Sequence, residues 1–255
     1  MSRIGTSLLI FILILMTGCA TAPVPVPSFA ISPGSKVGLL VSLPSSPVHL
    51  HIGTTVFNNF TKPYELPETL DASATNRITT RLRENGFQPV DLKPLGWKIS
   101  DVNALAKSDG QHWVANPDQL TQLNRLRNEL GLRAIVVMTE ARVSADLGCA
   151  GGPCSDRQME RSGLFSLSFL NISRFRAVAA MEMKVFILDP AVELSSAQPL
   201  KSQLELRVLP LAGFKEPADY KNLTPAEFAP VVNWIHGFID EAAASTAKAL
   251  RNGAK

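Results

Sequence analysis

The chain has 255 residues, of which 45% are hydrophobic and 18% are charged, and its formal net charge is +3. These proportions are typical of a globular protein and exclude an intrinsically disordered chain. The sequence contains no block of like charges. The composition therefore gives no indication of binding to nucleic acid or of a polybasic contact with lipid.

The N-terminus has the organisation of an export signal. Arg3 precedes an apolar run over residues 8–16, and Thr17, Gly18 and Cys19 follow directly. The run has the length of a signal-peptide core and is well short of the roughly 20 apolar residues that span a bilayer as a helix.

Small residues directly before Cys19 resemble the lipobox of bacterial lipoproteins, although Met16 stands where that family usually has leucine. The resemblance implies cleavage after Gly18 and a diacylglycerol on the Cys19 sulfur, usually with palmitate as a third chain. Several acyl chains together give stable anchoring. Ala20, where aspartate often marks inner-membrane retention, implies an outer-membrane protein facing the periplasm. An ordinary secretory signal with an incidental cysteine and an uncleaved membrane anchor are the alternatives.

Alternating prolines over residues 23–27 follow the cysteine and favour an extended polyproline II stalk of about 3.1 Å per residue. We therefore divide the chain into a signal peptide over 1–18, a lipidated cysteine with its stalk over 19–35, and a single periplasmic domain over 36–255. A domain of this length can bury a substantial core.

The first half of the domain alternates between strand and helix patterns. Apolar positions recur every four residues from Leu70 to Leu82, and Gly86 stands at a helix C-cap position. Asn116 and Pro117 form a strong helix start. The predicted elements are a strand over 36–43, an irregular polar segment over 49–64, a helix over 68–85, a strand over 87–92, a helix over 116–130 and a strand over 132–138.

The second half changes to the two-residue period of antiparallel strands. Apolar and polar side chains alternate over 175–188 and again over 203–208, which predicts strands with a hairpin around Asp189 and Pro190. Thr224 and Glu227 form a capping box that begins a final amphipathic helix.

The predicted order is β-α-β-α-β-β-β-α, an α+β fold of three helices packed on a mixed sheet of about five strands. This order is similar to that in the periplasmic domains of the curli-secretion lipoprotein and of the outer-membrane activators of penicillin-binding proteins. It is also similar to the N-terminal domain of the Tol-Pal translocation protein. The resemblance is one of element order and location, so it transfers no functional residue.

Cys149 and Cys154 flank a glycine-rich spacer. An oxidising periplasm favours a disulfide between them, which would mainly fix the shape of the loop that follows the third strand. Metal binding is the alternative, but two thiols without a nearby histidine fall short of the usual four ligands.

His49 and His51 would share one face of a strand, a spacing that metals can use, but no third ligand lies close to them in sequence. The sequence contains no G-x-S-x-G, H-E-x-x-H, Walker or G-x-G-x-x-G motif. We therefore predict no catalytic residue, no metal and no cofactor.

Residues 53–60 combine polar side chains with two aromatic rings in a connection that is longer than a simple turn requires. They are a possible binding loop, in which the candidate residues are Thr54, Thr55, Phe57, Asn58 and Asn59. The alternative is that Val56, Phe57 and Phe60 simply pack as a small edge hairpin.

The leading functional hypothesis is a lipid-anchored periplasmic module that binds another envelope protein and supports its assembly or regulation. One alternative is a tethered hydrolase, whose sign would be a deep pocket that gathers His49 or His51 with an acidic residue. Another is a subunit of an oligomeric secretion device, in which an outward apolar face of the long alternating strands would enter a membrane.

Overall fold

A computed structural model describes residues 24–146, 156–170, 172–197, 200–205 and 207–253. The predicted signal peptide, the lipidation at Cys19 and the disulfide between Cys149 and Cys154 lie outside these residues and stay predictions.

The described residues form an α+β fold with two five-stranded sheets. The strands are β1 (Lys36–Ser42), β2 (Val48–Ile52), β3 (Phe60–Pro63), β4 (Gln88–Asp91), β5 (Ala106–Ser108), β6 (Trp113–Ala115), β7 (Leu132–Glu140), β8 (Val143–Asp146), β9 (Asp156–Met159), β10 (Gly163–Phe169), β11 (Ile172–Val178), β12 (Met181–Leu188), β13 (Ala191–Glu193) and β14 (Val208–Pro210). The α-helices are α1 (Leu70–Glu84), α2 (Ile99–Val102), α3 (Leu120–Asn124), α4 (Leu200–Leu204) and α5 (Pro225–Asn252).

The first sheet has the strand order β13-β12-β7-β1-β4. Strands β4, β1 and β7 are parallel, whereas β12 and β13 run antiparallel to their neighbours. The central strands β1 and β7 are apolar on both faces because helices cover both sides of the sheet. This part of the fold confirms the predicted mixed sheet.

Two core clusters sandwich the first sheet. On one face, the stripe from Leu70 to Leu82 of α1 and the apolar face of α5 pack against Val37, Leu39 and Val41. On the other face, α3 and the preceding loops bury a second set of side chains, which includes Leu40, Trp97, Leu123, Leu126, Ile135 and Val137. The helices are therefore packed on the sheet as predicted.

The second sheet was not predicted from the sequence, and its strand order is β14-β11-β10-β2-β3. The prediction that 49–64 is irregular was wrong, because β2 and β3 form an antiparallel pair there. The segment looks polar because His49 and His51 alternate with Leu50 and Ile52, yet both imidazoles are buried. Their polar partner, Ser166, lies more than a hundred residues away in sequence.

Two details of the second half also differ from the predictions. The alternating run over 175–188 is two strands in different sheets, since Ala179 and Ala180 separate β11 from β12. The strand predicted over 203–208 was wrong in its first part, because Leu200 and Leu204 lie four residues apart on the buried side of the short helix α4. The chain does turn back at Asp189 and Pro190, but the long hairpin was wrong in its second strand, which is the short β13 and not the segment 203–208.

All three predicted helices are present, with one irregularity. The segment from Pro117 to Glu129 passes from a 3₁₀ turn through α3 into a π turn, in which the Leu130 N–H donates to the Arg125 carbonyl. Helix α5 begins with the predicted capping box between Thr224 and Glu227. None of the described helices is both long enough and apolar enough to cross a membrane.

The second sheet and the N-terminal segment lie at opposite ends of the domain. Strand β11 continues into β12, whose Met181 pairs with Glu140 at the carboxyl end of β7. At the other end of the first sheet, the Gly34 N–H donates to the Gly86 carbonyl, and the Phe29 carbonyl lies against Gly253 after the last turn of α5. Helix α5 links the two ends over about 42 Å, at 1.5 Å per residue.

Candidate binding surface

The connection between β2 and β3 projects two apolar side chains into solvent. Val56 is 75% exposed and Phe57 is 88% exposed. Of the aromatic side chains in this connection, Phe60 turns inward and packs on His49 and His51, with ring centroids 5.1 Å away from each. The simple packing alternative therefore describes Phe60 but not Val56 or Phe57.

Polar residues of the same loop hold its shape. The Gly53 N–H donates to Asn59 Oδ1 at 2.9 Å, and the Asn58 N–H donates to the Thr55 carbonyl at 3.0 Å. Thr54 Oγ1 donates to the Ser168 carbonyl at 3.2 Å and so ties the loop to β10. Of the five predicted loop residues, Thr54, Thr55, Asn58 and Asn59 thus support the turn that presents Phe57.

A second hairpin lies beside this loop and was missed by the sequence reasoning. Strands β2 and β10 are parallel neighbours, so the β2–β3 connection and the β10–β11 turn lie at the same end of the second sheet. Leu170 is 69% exposed and Ile172 is 41% exposed. We call Val56, Phe57, Leu170 and Ile172 together the apolar tip. Exposed clusters of this kind mark interaction sites more often than isolated apolar side chains do.

Leu170 is the described non-glycine residue with a positive φ, 44°. An L-residue in this left-handed region costs about 1–2 kcal/mol, and asparagine or glycine adopts it more readily. A leucine with a strained backbone and a largely exposed side chain contributes little to the stability of the fold. It is consistent with a residue retained for contact with a partner.

Leu170→Asn is expected to raise the free energy of unfolding by about 0.5–1 kcal/mol, because asparagine tolerates the left-handed region. Urea unfolding at neutral pH measures the change. Val56→Asn is the matched control, since Val56 is equally exposed but has no positive φ, and its change should stay within about 0.5 kcal/mol. A less stable Leu170→Asn protein would show that the leucine side chain stabilises the fold.

Beneath the tip, the second sheet buries a polar cluster of two histidines and a serine. His49 Nε2 lies 2.6 Å from Ser166 Oγ, and His51 Nδ1 lies 2.7 Å from the same oxygen. Ser166 pairs with His51 across the β2–β10 ladder, and all three side chains point to one face. Since the hydroxyl has a single proton, Ser166 donates to one ring and accepts from the N–H of the other.

Burial keeps both imidazoles neutral. It lowers the pKa of His49 to about 3, with the charge of His51 acting in the same direction and the backbone of Tyr220 opposing it. Burial also lowers the pKa of His51 to about 4. At neutral pH the cluster is therefore an uncharged hydrogen-bonded link between β2 and β10.

Aromatic rings close the cluster on the side of helix α5. Tyr220 lies 4.4 Å from His51 between ring centroids, and Tyr64 stacks on Phe228 at 4.3 Å. The Leu223 N–H donates to the Tyr64 hydroxyl at 3.1 Å, so the entry of α5 is fixed to the end of β3. These contacts hold the base of the apolar tip in place.

Burial and the described hydrogen-bond partners distinguish the cluster from the site that the hydrolase alternative expects. Ser166 and His49 have no exposed surface. Within the described ranges, neither histidine has a carboxylate as a hydrogen-bond partner, and no group of three or more histidine, cysteine or acidic residues is placed to hold a metal ion. His49 and His51 line neither the groove beside Phe175 nor the other pockets described within these ranges.

The alternating strands offer no outward apolar face in the described part of the chain. Phe175, Ala177, Met181 and Met183 all belong to the core between the sheets and the helices. Their alternation is explained by burial within the domain, so nothing in it calls for contact with a membrane.

One sequence signal could have found the second half of the tip. The segments 163–169 and 172–178 are rich in β-forming residues and are separated by two residues that include an asparagine, which is a hairpin signature. Ser166 carries no comparable signal, because its role depends on a pairing that is distant in sequence.

No family model, no curated protein and no solved structure matches the chain.

Proposed function

We propose that the protein is a lipid-anchored periplasmic module that binds another protein of the cell envelope through its apolar tip. The exposure of Phe57 at 88%, on a loop that is fixed by its own hydrogen bonds, is the observation that supports this most strongly. A rigid, exposed aromatic side chain beside other apolar residues has the chemistry of a binding anchor. We also propose that the protein is exported and carries lipid on Cys19, and the N-terminal sequence is the basis for this part of the proposal.

The position of the tip favours a protein partner over lipid. The N-terminal segment joins the domain where Phe29 meets Gly253 after the last turn of α5, whereas His51 and Ser173, next to the tip, contact Tyr220 ahead of the first turn of α5. From Cys19 to Phe29 the chain extends at most about 35 Å. A domain that stands on this stalk therefore presents its tip away from the anchoring membrane and towards the periplasm.

Phe57→Asp is expected to reduce co-purification of the partner with the tagged full-length protein by about ten-fold or more. Burial of a phenylalanine at an interface contributes roughly 1.5–3 kcal/mol, and each 1.4 kcal/mol is a factor of ten in affinity. The measurement is reversible chemical crosslinking in intact cells, followed by purification and quantitative mass spectrometry.

Leu95→Asp is the matched control, because Leu95 is also an exposed apolar loop residue, at 54%, but lies away from the tip. It should leave the co-purified proteins unchanged. Equal losses in the two variants, or no loss in Phe57→Asp, would contradict a binding role for the tip.

A further inference from the structure

The outer edge of β11 is open along its first residues. Strand β14 pairs with β11 only from Arg176 to Val178. The Leu211 N–H donates to the Phe175 carbonyl at 3.1 Å on this edge, so the odd-numbered residues of β11 direct their backbone groups towards it. The N–H and C=O of Ser173 therefore face the same edge, and neither makes a backbone hydrogen bond there with any residue that the structure describes.

A groove of about 560 Å³ runs along this open edge. One side is β11 itself, and the other is the loop over 210–216, which turns after Leu211 and whose Glu216 accepts a hydrogen bond from the Ser173 hydroxyl. The rings of Phe175 and Phe214 lie 4.6 Å apart between centroids and provide an apolar wall. The space is wide enough for an extended peptide backbone to lie beside the strand.

The two faces of the sheet differ in charge at this edge. Ser173 and Phe175 point to the face that carries Phe214, whereas Arg174 and Arg176 point to the opposite face, since side chains alternate along a strand. Arg176 donates from Nε to the Asp146 carbonyl and from Nη1 to the Phe175 carbonyl, both at 3.2 Å. Both acceptors are uncharged, and none of the ion pairs between residues that the structure describes involves Arg176.

We propose that this edge binds an extended segment of the partner protein as an added β-strand, with apolar side chains over Phe175 and Phe214 and a carboxylate towards Arg176. The inference rests on the proposed function and names the chemistry of the partner. Main-chain hydrogen bonds to Ser173 supply affinity, and the alternation of apolar and acidic side chains supplies specificity. Ile172 of the apolar tip is the next residue of the same strand, so the groove and the tip form one continuous surface.

A fluorescein-labelled decapeptide of alternating valine and glutamate tests the proposal by fluorescence anisotropy on the folded protein. It should bind at least about ten-fold more tightly than the valine–lysine decapeptide. All valine N–H groups of an extended strand point to one side and all glutamate N–H groups to the other. N-methylation of one set should therefore weaken binding about ten-fold or more, and N-methylation of the other set should not.

Ser173→Pro removes the edge N–H and should weaken binding of the valine–glutamate peptide at least about ten-fold. Ser173→Ala is the matched control, because it keeps the N–H and should retain the affinity within about three-fold. Leu95→Asp should leave peptide binding unchanged, because Leu95 lies away from the groove. Strand addition is measured with the peptide and tip binding with the partner crosslinked in cells, so a failure of one is distinguishable from a failure of the other. Equal binding of both N-methylated peptides, or no binding of the unmodified peptide, would overturn the proposal. A dimer in sedimentation that Ser173→Pro dissociates would also overturn it, because a second copy would then occupy the edge.

Discussion

Gly163→Ala is expected to reduce the free energy of unfolding by more than about 3 kcal/mol. Gly163 has φ 153° and pairs with Val48 where β2 and β10 begin. A Cβ at this position would lie 1.8 Å from the Val48 carbonyl oxygen and 2.7 Å from its carbonyl carbon. Both contacts are with backbone atoms, so the clash can be relieved only if β2 and β10 move apart. The second sheet then loses the pairing that supports the tip.

Gly237→Ala is the matched control for this substitution. Gly237 lies within α5, and a Cβ there would meet no heavy atom within 4 Å. Alanine at this helix position should stabilise the protein by roughly 0.5–1 kcal/mol. Guanidinium unfolding of the two variants should therefore give changes of opposite sign. A Gly163→Ala protein of normal stability would show that β2 and β10 do not approach as closely as described.

Acidification from pH 7 to pH 5 is expected to destabilise the protein by about 2 kcal/mol through His49 alone. In the unfolded chain a histidine has a pKa of about 6.5 and takes up a proton over this range. In the folded protein the pKa of His49 is about 3, so the ring stays neutral. The unfolded state binds more protons, and stability falls as the pH drops below 6.5 and continues to fall towards the folded value. His51, with a pKa of about 4, acts in the same direction.

The double variant His49→Gln and His51→Asn tests the origin of this acid sensitivity. The two amides place a neutral polar atom near the positions of Nε2 and Nδ1, and they do not titrate. Urea unfolding at pH 7 and pH 5 should show a smaller loss of stability in the double variant than in the wild-type protein. An unchanged pH dependence in the double variant would place the acid sensitivity elsewhere.

Local patterns were enough to predict the first sheet and its helices. The four-residue spacing from Leu70 to Leu82, the apolar strand β7 and the capping box at Thr224 all depend on residues that are close in sequence. Each of these elements buries a continuous apolar stripe, which is the pattern that sequence periodicity detects best.

The second sheet was missed because its pattern depends on distant partners. His49 and His51 look like solvated loop residues until Ser166 supplies a hydrogen-bonding group from β10. The candidate loop was located through Phe57, but Leu170 joins it only because β2 and β10 are parallel neighbours. Tertiary pairing, rather than local propensity, therefore decides both the sheet and the surface that it carries.

A photo-reactive amino acid at position 57 of the full-length protein tests the central claim most directly. Irradiation of intact cells should give a covalent adduct of discrete mass with a second envelope protein, and the same label at Leu95 should not give that adduct. Formation of the same adducts from both positions, or of no protein adduct from position 57, would contradict a tip that binds a protein partner.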